Sequence, residues 1–315
     1  MNNEKNLNKI LKIGILQAKV DVNIAWKDNQ GNIQQNLNNT SEKYLIEQFK
    51  RAFKYFKNDN NHADIILLSE YTIPLSYISE LENYAKSLNS VIIGGLDLLV
   101  DSKKNVLNKG VIIIPNNWES GQESKYTNIS YFGKVYLTKV ERNWFNTLKK
   151  NQLITGDFVP TEELIIVNTG KFGNIGIVIC ADIYDIERIA KYKGIIQHLF
   201  VIAYNRDVRT FKVHAESISK MLMCNVVICN NGFYGDSLAF SPYKENYKKL
   251  VYEVSGCNIF NAQKIELTCS DLYELQKKIS ICPGLDDKEF SVAPGYKIAN
   301  ISLTEATTYI KEKHI

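Results

Sequence analysis

The fold class is decided by one stretch of the chain, Gly173-Asn174-Ile175-Gly176-Ile177-Val178-Ile179-Cys180-Ala181-Asp182. Its continuous apolar run is typical of a strand that is buried on both faces. Helical spacing begins around Asp185, so Cys180 stands where a buried strand ends before a helix starts. In open α/β sheets, ligands bind at the carboxyl ends of the strands. The stretch therefore predicts an α/β fold with a candidate reactive cysteine.

Other segments of the chain repeat this alternation of strand and helix. Further strands are predicted at residues 11–16, 64–68, 91–93, 111–114, 164–167, 199–203 and 226–229, and helices at 41–57, 75–88, 185–193 and 210–223. Shorter strands are expected within 237–265, and long loops at 21–39 and 116–128. This order indicates a layered α/β fold whose sheet finishes with antiparallel strands.

Length and composition favour one large domain. The chain has 315 residues, of which 45% are hydrophobic and 23% charged, as in soluble globular proteins. We assign residues 1–282 to that domain and 283–315 to a C-terminal extension. The apolar pieces of the extension, at 290–292 and 298–303, are too few for a separate core, so the extension is expected to pack on a neighbouring subunit.

Charge and cysteine usage exclude several function classes. The net charge of +4 is spread along the chain, which argues against nucleic acid as a partner. No apolar stretch approaches the roughly 18 residues of a membrane span, and the polar N-terminus does not resemble an export signal. Six cysteines without such a signal indicate reduced thiols and a cytoplasmic location. The four histidines lack metal-ligand spacing, so we expect no metal.

Three side chains are candidates for chemistry. At the exit of its strand, the Cys180 thiol is expected to have a pKa lowered by backbone N–H groups and by the positive end of the following helix. Glu70 ends the apolar run 64–68, where partial burial would raise its pKa into the range of a general acid/base. Lys139 closes the alternating segment 133–139, where a strand is expected to give way to a loop that begins at Glu141, and an ammonium group at this strand end could stabilise an oxyanion. Taken singly, each also fits an ordinary structural role: a core cysteine, a loop glutamate and a solvated lysine.

In this order and at these strand ends, the residues resemble the Glu–Lys–Cys triad of the nitrilase superfamily. The likeness extends over roughly residues 11–255. Its other motifs are Lys12-Ile13-Gly14-Ile15-Leu16-Gln17, Leu68-Ser69-Glu70, Ile93-Gly94-Gly95, Thr155-Gly156-Asp157, Val226-Val227-Ile228-Cys229-Asn230-Asn231-Gly232 and Tyr234-Gly235-Asp236-Ser237. Each motif is weak alone, and their common order carries the resemblance.

The resemblance implies a four-layer α-β-β-α sandwich and a homodimer, or a higher homo-oligomer, formed through helices beside the strand that ends at Cys180. It also implies a carbon–nitrogen hydrolase without a cofactor, which cleaves a small-molecule amide, N-carbamoyl compound or nitrile. On this interpretation Cys180 is the nucleophile and Glu70 the proton shuttle. The oxyanion would lie between Lys139 and the backbone N–H of Ala181.

The sequence also departs from the family pattern. Many members carry a second glutamate shortly after the lysine, whereas the eighth residue after Lys139 is Thr147. That carboxylate is therefore absent or replaced, with Glu141 as the nearest candidate. Candidate pocket walls are the aromatic residues Tyr71, Trp144, Tyr204 and Phe233, each of which also fits an ordinary role in the core.

Two rival hypotheses remain. The first is a nitrilase-like binding or regulatory subunit with weak or lost chemistry, which the missing second glutamate favours. The second is a Cys–His hydrolase that pairs Cys180 with His198 or His214, although each histidine has a plain structural role in a predicted strand or helix.

Overall fold

The computed structural model describes residues 7–282, 285–293 and 296. Its strands are β1 (Ile10–Gln17), β2 (Ile65–Leu68), β3 (Val91–Gly95), β4 (Leu99–Val100), β5 (Val106–Leu107), β6 (Lys109–Pro115), β7 (Thr127–Gly133), β8 (Ile165–Asn168), β9 (Asn174–Ile179), β10 (His198–Ile202), β11 (Asn225–Cys229), β12 (Leu238–Phe240), β13 (Leu250–Glu253) and β14 (Asn261–Thr268). Its α-helices are α1 (Asn39–Phe56), α2 (Ile78–Leu88), α3 (Lys139–Lys150), α4 (Ile186–Ala190), α5 (Val208–Leu222), α6 (Asn246–Lys249) and α7 (Ser270–Ile281).

The strands form two six-stranded sheets and one short hairpin. The first sheet has the order β14-β1-β2-β3-β6-β7, and the second has the order β13-β12-β11-β10-β9-β8. Parallel pairs occupy the centre of each sheet, β1-β2-β3 in the first and β9-β10-β11 in the second. Antiparallel strands extend each sheet to its edges, as the sequence predicted for its later part.

Strand β2 shows how the first sheet divides the core. Ile65 and Leu67 belong to a hydrophobic cluster shared with the second sheet, whereas Ile66 and Leu68 belong to a cluster shared with helices α1 and α2. Successive side chains of a strand point to opposite faces, so one face of this sheet meets the other sheet and its second face meets the helices. This explains why the strand is apolar at every position.

Helices complete the outer layers. Helix α1 begins at the N-cap Asn38, whose side chain accepts from the backbone N–H of Ser41 at 2.8 Å. Its buried stripe includes Phe49 and Phe53, which pack in the cluster on the outer face of the first sheet. Helix α5 places Phe211 in the cluster of the second sheet. Helices therefore cover one face of the first sheet and also pack on the second sheet, which agrees with a layered α/β fold.

The predicted strands and helices appear in the structure except for the strand expected over 133–139, and two interpretations need correction. The segment 133–139 is not a strand: β7 ends at Gly133 and α3 begins at Lys139. Part of the predicted loop 116–128 belongs to β7, which starts at Thr127. Helices α3, α6 and α7 were not predicted. The loop at 21–39 carries no long helix or strand, as expected.

The described part of the C-terminal extension packs on its own chain. Phe290 and Tyr296 join a small cluster with Leu272 and Ile279 of α7. The Phe290 ring stacks on Tyr243 with 4.9 Å between centroids. The segment 298–303 lies outside the described residues, and the contact of the extension with a neighbouring subunit stays a prediction. Across the described residues, no helix is long and apolar enough to cross a bilayer.

Candidate active site

Three strands end at the same place and bring polar side chains together. Glu70 follows β2, Lys134 follows β7 and Cys180 follows β9. Close packing of the backbone places Glu70: a Cβ atom on Gly95 of β3 would lie only 2.5 Å from the Glu70 Cα atom. Glycine at this position therefore lets the end of β2 approach β3.

A buried ionic cluster lies at the centre of the site. The Lys134 Nζ atom is 2.8 Å from Glu70 Oε1 and 2.7 Å from Glu141 Oε1. The exposed fraction of the side chain is 1% for both Lys134 and Glu70 and 9% for Glu141. Two carboxylates thus share one ammonium group away from water. Charges are tolerated in such a place only when they are paired and hydrogen-bonded.

Neutral donors complete the cluster. Asn108 Nδ2 donates to Glu70 Oε1 at 2.7 Å and lies 2.7 Å from the Tyr71 hydroxyl. The Tyr71 hydroxyl in turn donates to Glu141 Oε1 at 2.9 Å. These bonds fix the orientation of both carboxylates relative to Lys134.

Local sequence at the start of α3 positions Glu141. The backbone N–H of Thr138 donates to Glu141 Oε2 at 2.8 Å, and Glu141 N donates to Thr138 Oγ1 at 3.2 Å. This is a capping box, which satisfies free N–H groups at the first turn of a helix. The other oxygen of the Glu141 carboxylate is left for Lys134. Helix capping and the ionic cluster thus use the same side chain.

Cys180 occupies a strained elbow at the end of β9. Its φ angle is +47°, a conformation that costs energy for a residue with a Cβ atom. It begins a short 3₁₀ turn, Cys180–Tyr184, and only 2% of the residue is exposed. Two residues later, the Asp182 carboxylate accepts from the backbone N–H groups of Val135 and Tyr136 at 3.1 and 3.0 Å. Asp182 therefore ties the turn that carries Cys180 to the loop that follows Lys134.

Burial dominates the protonation of the site. Desolvation, together with the nearby Glu70 carboxylate, raises the pKa of the Cys180 thiol well above its ordinary value. The expectation of a lowered pKa for Cys180 is therefore wrong for the resting site. Desolvation also raises the pKa of Glu70, although Lys134 opposes the shift. A thiol held neutral beside a raised-pKa carboxylate is suited to transfer its proton as it attacks.

The other two ionic groups stay charged. Burial would lower the pKa of Lys134, but the negative charges of Glu70 and Glu141 raise it well above the usual lysine value. Burial would raise the pKa of Glu141, but Lys134 and the Thr138 hydrogen bonds bring it below the ordinary value. The site therefore holds a permanent ammonium group close to the thiol.

A cavity of about 490 Å³ is lined by Glu70, Lys134, Glu141 and Cys180, together with Ala181, which directly follows the cysteine. Of the predicted pocket walls, Tyr71, Trp144 and Tyr204 line this cavity. Phe233 does not; its neighbour Tyr234 takes that place. Aromatic residues that the sequence analysis did not select also contribute, namely Trp26 and Tyr184.

The structure brings Lys134, and not Lys139, to the candidate glutamate. Lys139 is the first residue of α3, and its exposed side chain lines the outer part of the cavity. Its ammonium group makes no ion pair with Glu70 in the described part of the chain. With Lys134 as the reference, the second carboxylate is present, since Glu141 follows seven residues later.

Neither histidine belongs to the site. His198 lies in β10, and its two ring nitrogens contact Phe172 O and Asn225 Nδ2, each at 3.0 Å. Burial lowers the pKa of His198 to about 4. The His214 ring packs edge-on against Tyr184, and neither histidine lines the cavity. Within the described ranges, no group of three or more His, Cys, Asp or Glu side chains could hold a metal ion.

Comparison with known proteins bears on the fold. No protein-family model matches the chain, and no curated protein sequence matches it significantly. Similar solved structures exist. Nit3 of Saccharomyces cerevisiae, a member of branch 10 of the nitrilase superfamily, has a TM-score of 0.59 at 16% identity, covering 90% of this chain and 98% of that one.

Two further structures agree with this likeness. A variant of the amidase from Nesterenkonia sp. AN1, with the acetamide moiety of fluoroacetamide on its active-site cysteine, has a TM-score of 0.56 at 10% identity, covering 85% and 96% of the two chains. A CN-hydrolase superfamily protein from Xanthomonas campestris has a TM-score of 0.56 at 14% identity, covering 85% and 94%. The chain therefore has the nitrilase-superfamily fold, which confirms the resemblance at the level of fold.

Proposed function

We propose that the protein is a cysteine-dependent carbon–nitrogen hydrolase that cleaves a small-molecule amide, N-carbamoyl compound or nitrile through a thioester. One observation carries this proposal: the buried Glu70–Lys134–Glu141 cluster and the strained Cys180 elbow line the same cavity. Two carboxylates around an ammonium group beside a thiol are costly to bury, and structural stability alone gives no reason for them.

For an amide, acylation proceeds as follows. The Cys180 sulfur attacks the carbonyl carbon while its proton passes to Glu70. The developing oxyanion is stabilised by the Lys134 ammonium group, which replaces Lys139 in this role, and by the backbone N–H of Ala181. Glu70 then gives the proton to the leaving nitrogen, the carbon–nitrogen bond breaks, and a thioester remains on Cys180.

Deacylation reverses the proton path. Glu70 removes a proton from a water molecule, whose oxygen attacks the thioester carbon. The carbon–sulfur bond breaks, the proton returns from Glu70 to the Cys180 sulfur, and a carboxylic acid leaves. Glu141 is a positioning residue in this scheme, since it holds the same Lys134 ammonium group that pairs with Glu70.

The rival binding-subunit hypothesis loses its main support. It depended on a missing second carboxylate, and Glu141 occupies that position against Lys134. The Cys–His hypothesis has no supporting geometry, because both ring nitrogens of His198 are engaged elsewhere and His214 lies outside the cavity lining.

The test combines turnover with labelling of the thiol. Amides, N-carbamoyl compounds and nitriles are screened for ammonia release, and the protein is incubated with fluoroacetamide and mapped by mass spectrometry. The wild type should release ammonia from at least one class and carry the adduct on Cys180. Cys180→Ala should do neither, whereas the exposed-thiol control Cys282→Ala should behave as wild type. Absence of both turnover and adduct in the wild type would favour the binding-subunit hypothesis.

A general alkylating reagent would be a poorer probe. Cys257 and Cys282 are exposed, whereas Cys180 is buried with a raised pKa. The exposed thiols should therefore react first with an unselective reagent. An amide-shaped reagent that fits the cavity discriminates in favour of Cys180.

We also propose a homodimer in the cytoplasm. Apolar side chains on α4 and α5 and the turn before them are exposed: Tyr184 at 39%, Ile186 at 77%, Val213 at 58% and Met221 at 52%. An exposed apolar face of this kind favours association with a second copy. Sedimentation should show a dimer that Ile186→Asp weakens. All six cysteines are free thiols, which supports a reducing compartment.

A further inference from the structure

The mouth of the active-site cavity is lined by unpaired cations. Lys27, Lys139 and Arg206 line the cavity and are exposed. None of the three forms an ion pair with any residue that the structure describes. They come from three separate segments, the loop before α1, the start of α3 and the loop before α5. Their shared property is a positive charge directed to one opening.

Acidic side chains of the cavity lining do not balance these charges. The carboxylates in the cavity lining are Glu70, Glu141 and Asp207. The first two belong to the buried cluster around Lys134. Asp207 is the N-cap of α5 and accepts from the backbone N–H of Thr210 at 3.3 Å. The outer part of the cavity thus carries three positive side chains against one negative side chain.

Backbone dipoles add to this potential. Helix α3 begins at Lys139 and helix α5 begins at Val208, so both N-terminal ends lie at the cavity mouth. The N-terminus of a helix carries a partial positive charge. A cleft lined by one sign of charge attracts ligands of the opposite sign and raises their association rate.

Aromatic side chains form much of the cavity wall. The Trp26 ring lies 5.4 Å from Trp144 and 5.9 Å from Tyr204, measured between centroids. Tyr204 also packs against Tyr234 at 5.5 Å. The cavity therefore combines a buried reactive cluster, aromatic walls and exposed cationic side chains.

We propose that the substrate carries an anionic group at the end remote from the scissile bond, which Lys27, Lys139 and Arg206 bind at the cavity mouth. This inference rests on the proposed hydrolase function and names its substrate class: a small amide, or N-carbamoyl compound, with an apolar middle and an acidic terminus. The acidic group is a carboxylate or a phosphate, both of which suit lysine and arginine.

The test uses matched primary amides that share one linear chain and differ only at the remote end. The ends are carboxylate, phosphate, neutral hydroxymethyl and trimethylammonium. At least one anionic amide should exceed the neutral one by about tenfold in kcat/KM through a lower KM, and the trimethylammonium amide should be the poorest. Salt should reduce the advantage, since the Debye length falls from about 10 Å at 0.1 M to about 3 Å at 1 M. The kcat/KM values of the carboxylate amide and the phosphate amide then show which anionic group the cavity mouth prefers.

Variants localise the effect. Arg206→Met, Lys27→Met and Lys139→Met should each lower the ratio of anionic to neutral kcat/KM by roughly twofold, which is an equal share of the tenfold advantage and the scale of one solvent-exposed charge interaction. Lys103→Met removes an exposed lysine outside the cavity and should leave the ratio unchanged.

Failure of this inference differs from failure of the proposed function. Equal kcat/KM for neutral and anionic amides, with Cys180 labelled by fluoroacetamide, would overturn the anionic substrate and leave the hydrolase in place. A higher value for the trimethylammonium amide would also overturn it. Absence of turnover and of Cys180 labelling would instead remove the hydrolase function on which the inference depends.

Discussion

The Lys134 Nζ atom lies 2.8 Å from Glu70 Oε1, and each of the two side chains is 1% exposed. This pair links the ends of two strands that are far apart in the sequence, β2 and β7. Removal of one partner leaves the other charge buried without compensation, which costs about 3–5 kcal/mol in comparable pairs. The pair is therefore both a structural link and the centre of the proposed chemistry, and experiments must separate these roles.

The first prediction concerns the lysine. Lys134→Met should lower kcat for amide hydrolysis by roughly a hundredfold or more, the scale for loss of an oxyanion donor. Lys139→Met should act on the KM of an anionic substrate instead, because Lys139 lies at the mouth of the cavity. Steady-state kinetics of both variants test the assignment. A large loss of kcat in Lys139→Met alone would show that Lys139 is the oxyanion lysine.

A double variant guards against simple unfolding. Lys134→Met leaves Glu70 and Glu141 close together without their shared cation. Lys134→Met combined with Glu141→Gln removes one positive and one negative charge, so it should recover part of the stability in chemical denaturation. Its activity should stay low. Recovery of activity together with stability would mean that Lys134 serves the fold alone.

The lysine shows where sequence reasoning reached its limit. Lys134 and Lys139 lie five residues apart in an alternating segment, and alternation predicted a strand through Lys139. In the structure β7 ends at Gly133, and a capping box formed by Thr138 and Glu141 starts α3 at Lys139. The pattern Thr-x-x-Glu ahead of an amphipathic run was a readable signal for this start. This signal would have placed Lys139 in a helix and left Lys134 as the lysine at the end of the strand. The spacing from Lys134 would then have identified Glu141 as the second carboxylate.

The second prediction concerns Glu70. Glu70→Gln keeps the shape of the side chain but cannot accept a proton, so both acylation and deacylation should fail. The variant should fold and either react very slowly or accumulate a thioester on Cys180, which mass spectrometry of the intact protein would reveal. Near-native turnover without an adduct would show that another group moves the proton.

The third prediction concerns Asn108, whose hydrogen bond affects the pKa of Glu70. Asn108 Nδ2 donates to Glu70 Oε1 at 2.7 Å, and this hydrogen bond lowers the carboxyl pKa against the larger effect of burial. Asn108→Ala should therefore raise the pKa of Glu70 further. The acidic limb of the pH–kcat profile should move to higher pH, since Glu70 must be ionised to accept the thiol proton.

A matched control separates this effect from a general loss of stability. Asn83→Ala removes an exposed asparagine of α2 that contacts Glu80 and does not line the cavity. It should leave the acidic limb in place. An unchanged limb in Asn108→Ala would show that the hydrogen bond does not control the proton-accepting group.

Side-chain placement in loops was the other limit of sequence reasoning. The buried apolar runs located Glu70 and Cys180 at strand ends, because strand burial follows directly from composition. Phe233 and Tyr234 are neighbours in a turn, and only the turn geometry decides that Tyr234 lines the cavity. Asn108 contacts Glu70 across 38 positions of sequence, and nothing in its local pattern indicates that partner.

The last prediction concerns Asp182, which joins the cysteine turn to the segment after Lys134. Its carboxylate accepts from the backbone N–H groups of Val135 and Tyr136 at 3.1 and 3.0 Å. Asp182→Asn keeps one acceptor oxygen and loses the charge that strengthens these bonds. The turn and the loop should then hold Cys180 and Lys134 less rigidly, so kcat should fall while KM changes less.

Asp182 should also change how the free energy of unfolding depends on pH, and the direction of its pKa shift sets the sign of this dependence. Burial raises this pKa from 3.8 to about 6, so the folded protein binds the Asp182 proton more tightly than the unfolded chain. The contribution of this group to stability is therefore greatest below pH 4 and declines as pH rises toward 6, by on the order of 2–3 kcal/mol. Asp182→Asn removes this dependence, and the other titrating groups are common to both proteins. The free energy of unfolding of the wild type minus that of the variant should thus be larger at pH 4.5 than at pH 7.5 in urea denaturation. A difference that stays constant between these pH values would show that Asp182 is ionised throughout. Its hydrogen bonds to the segment after Lys134 would then not depend on pH in this range.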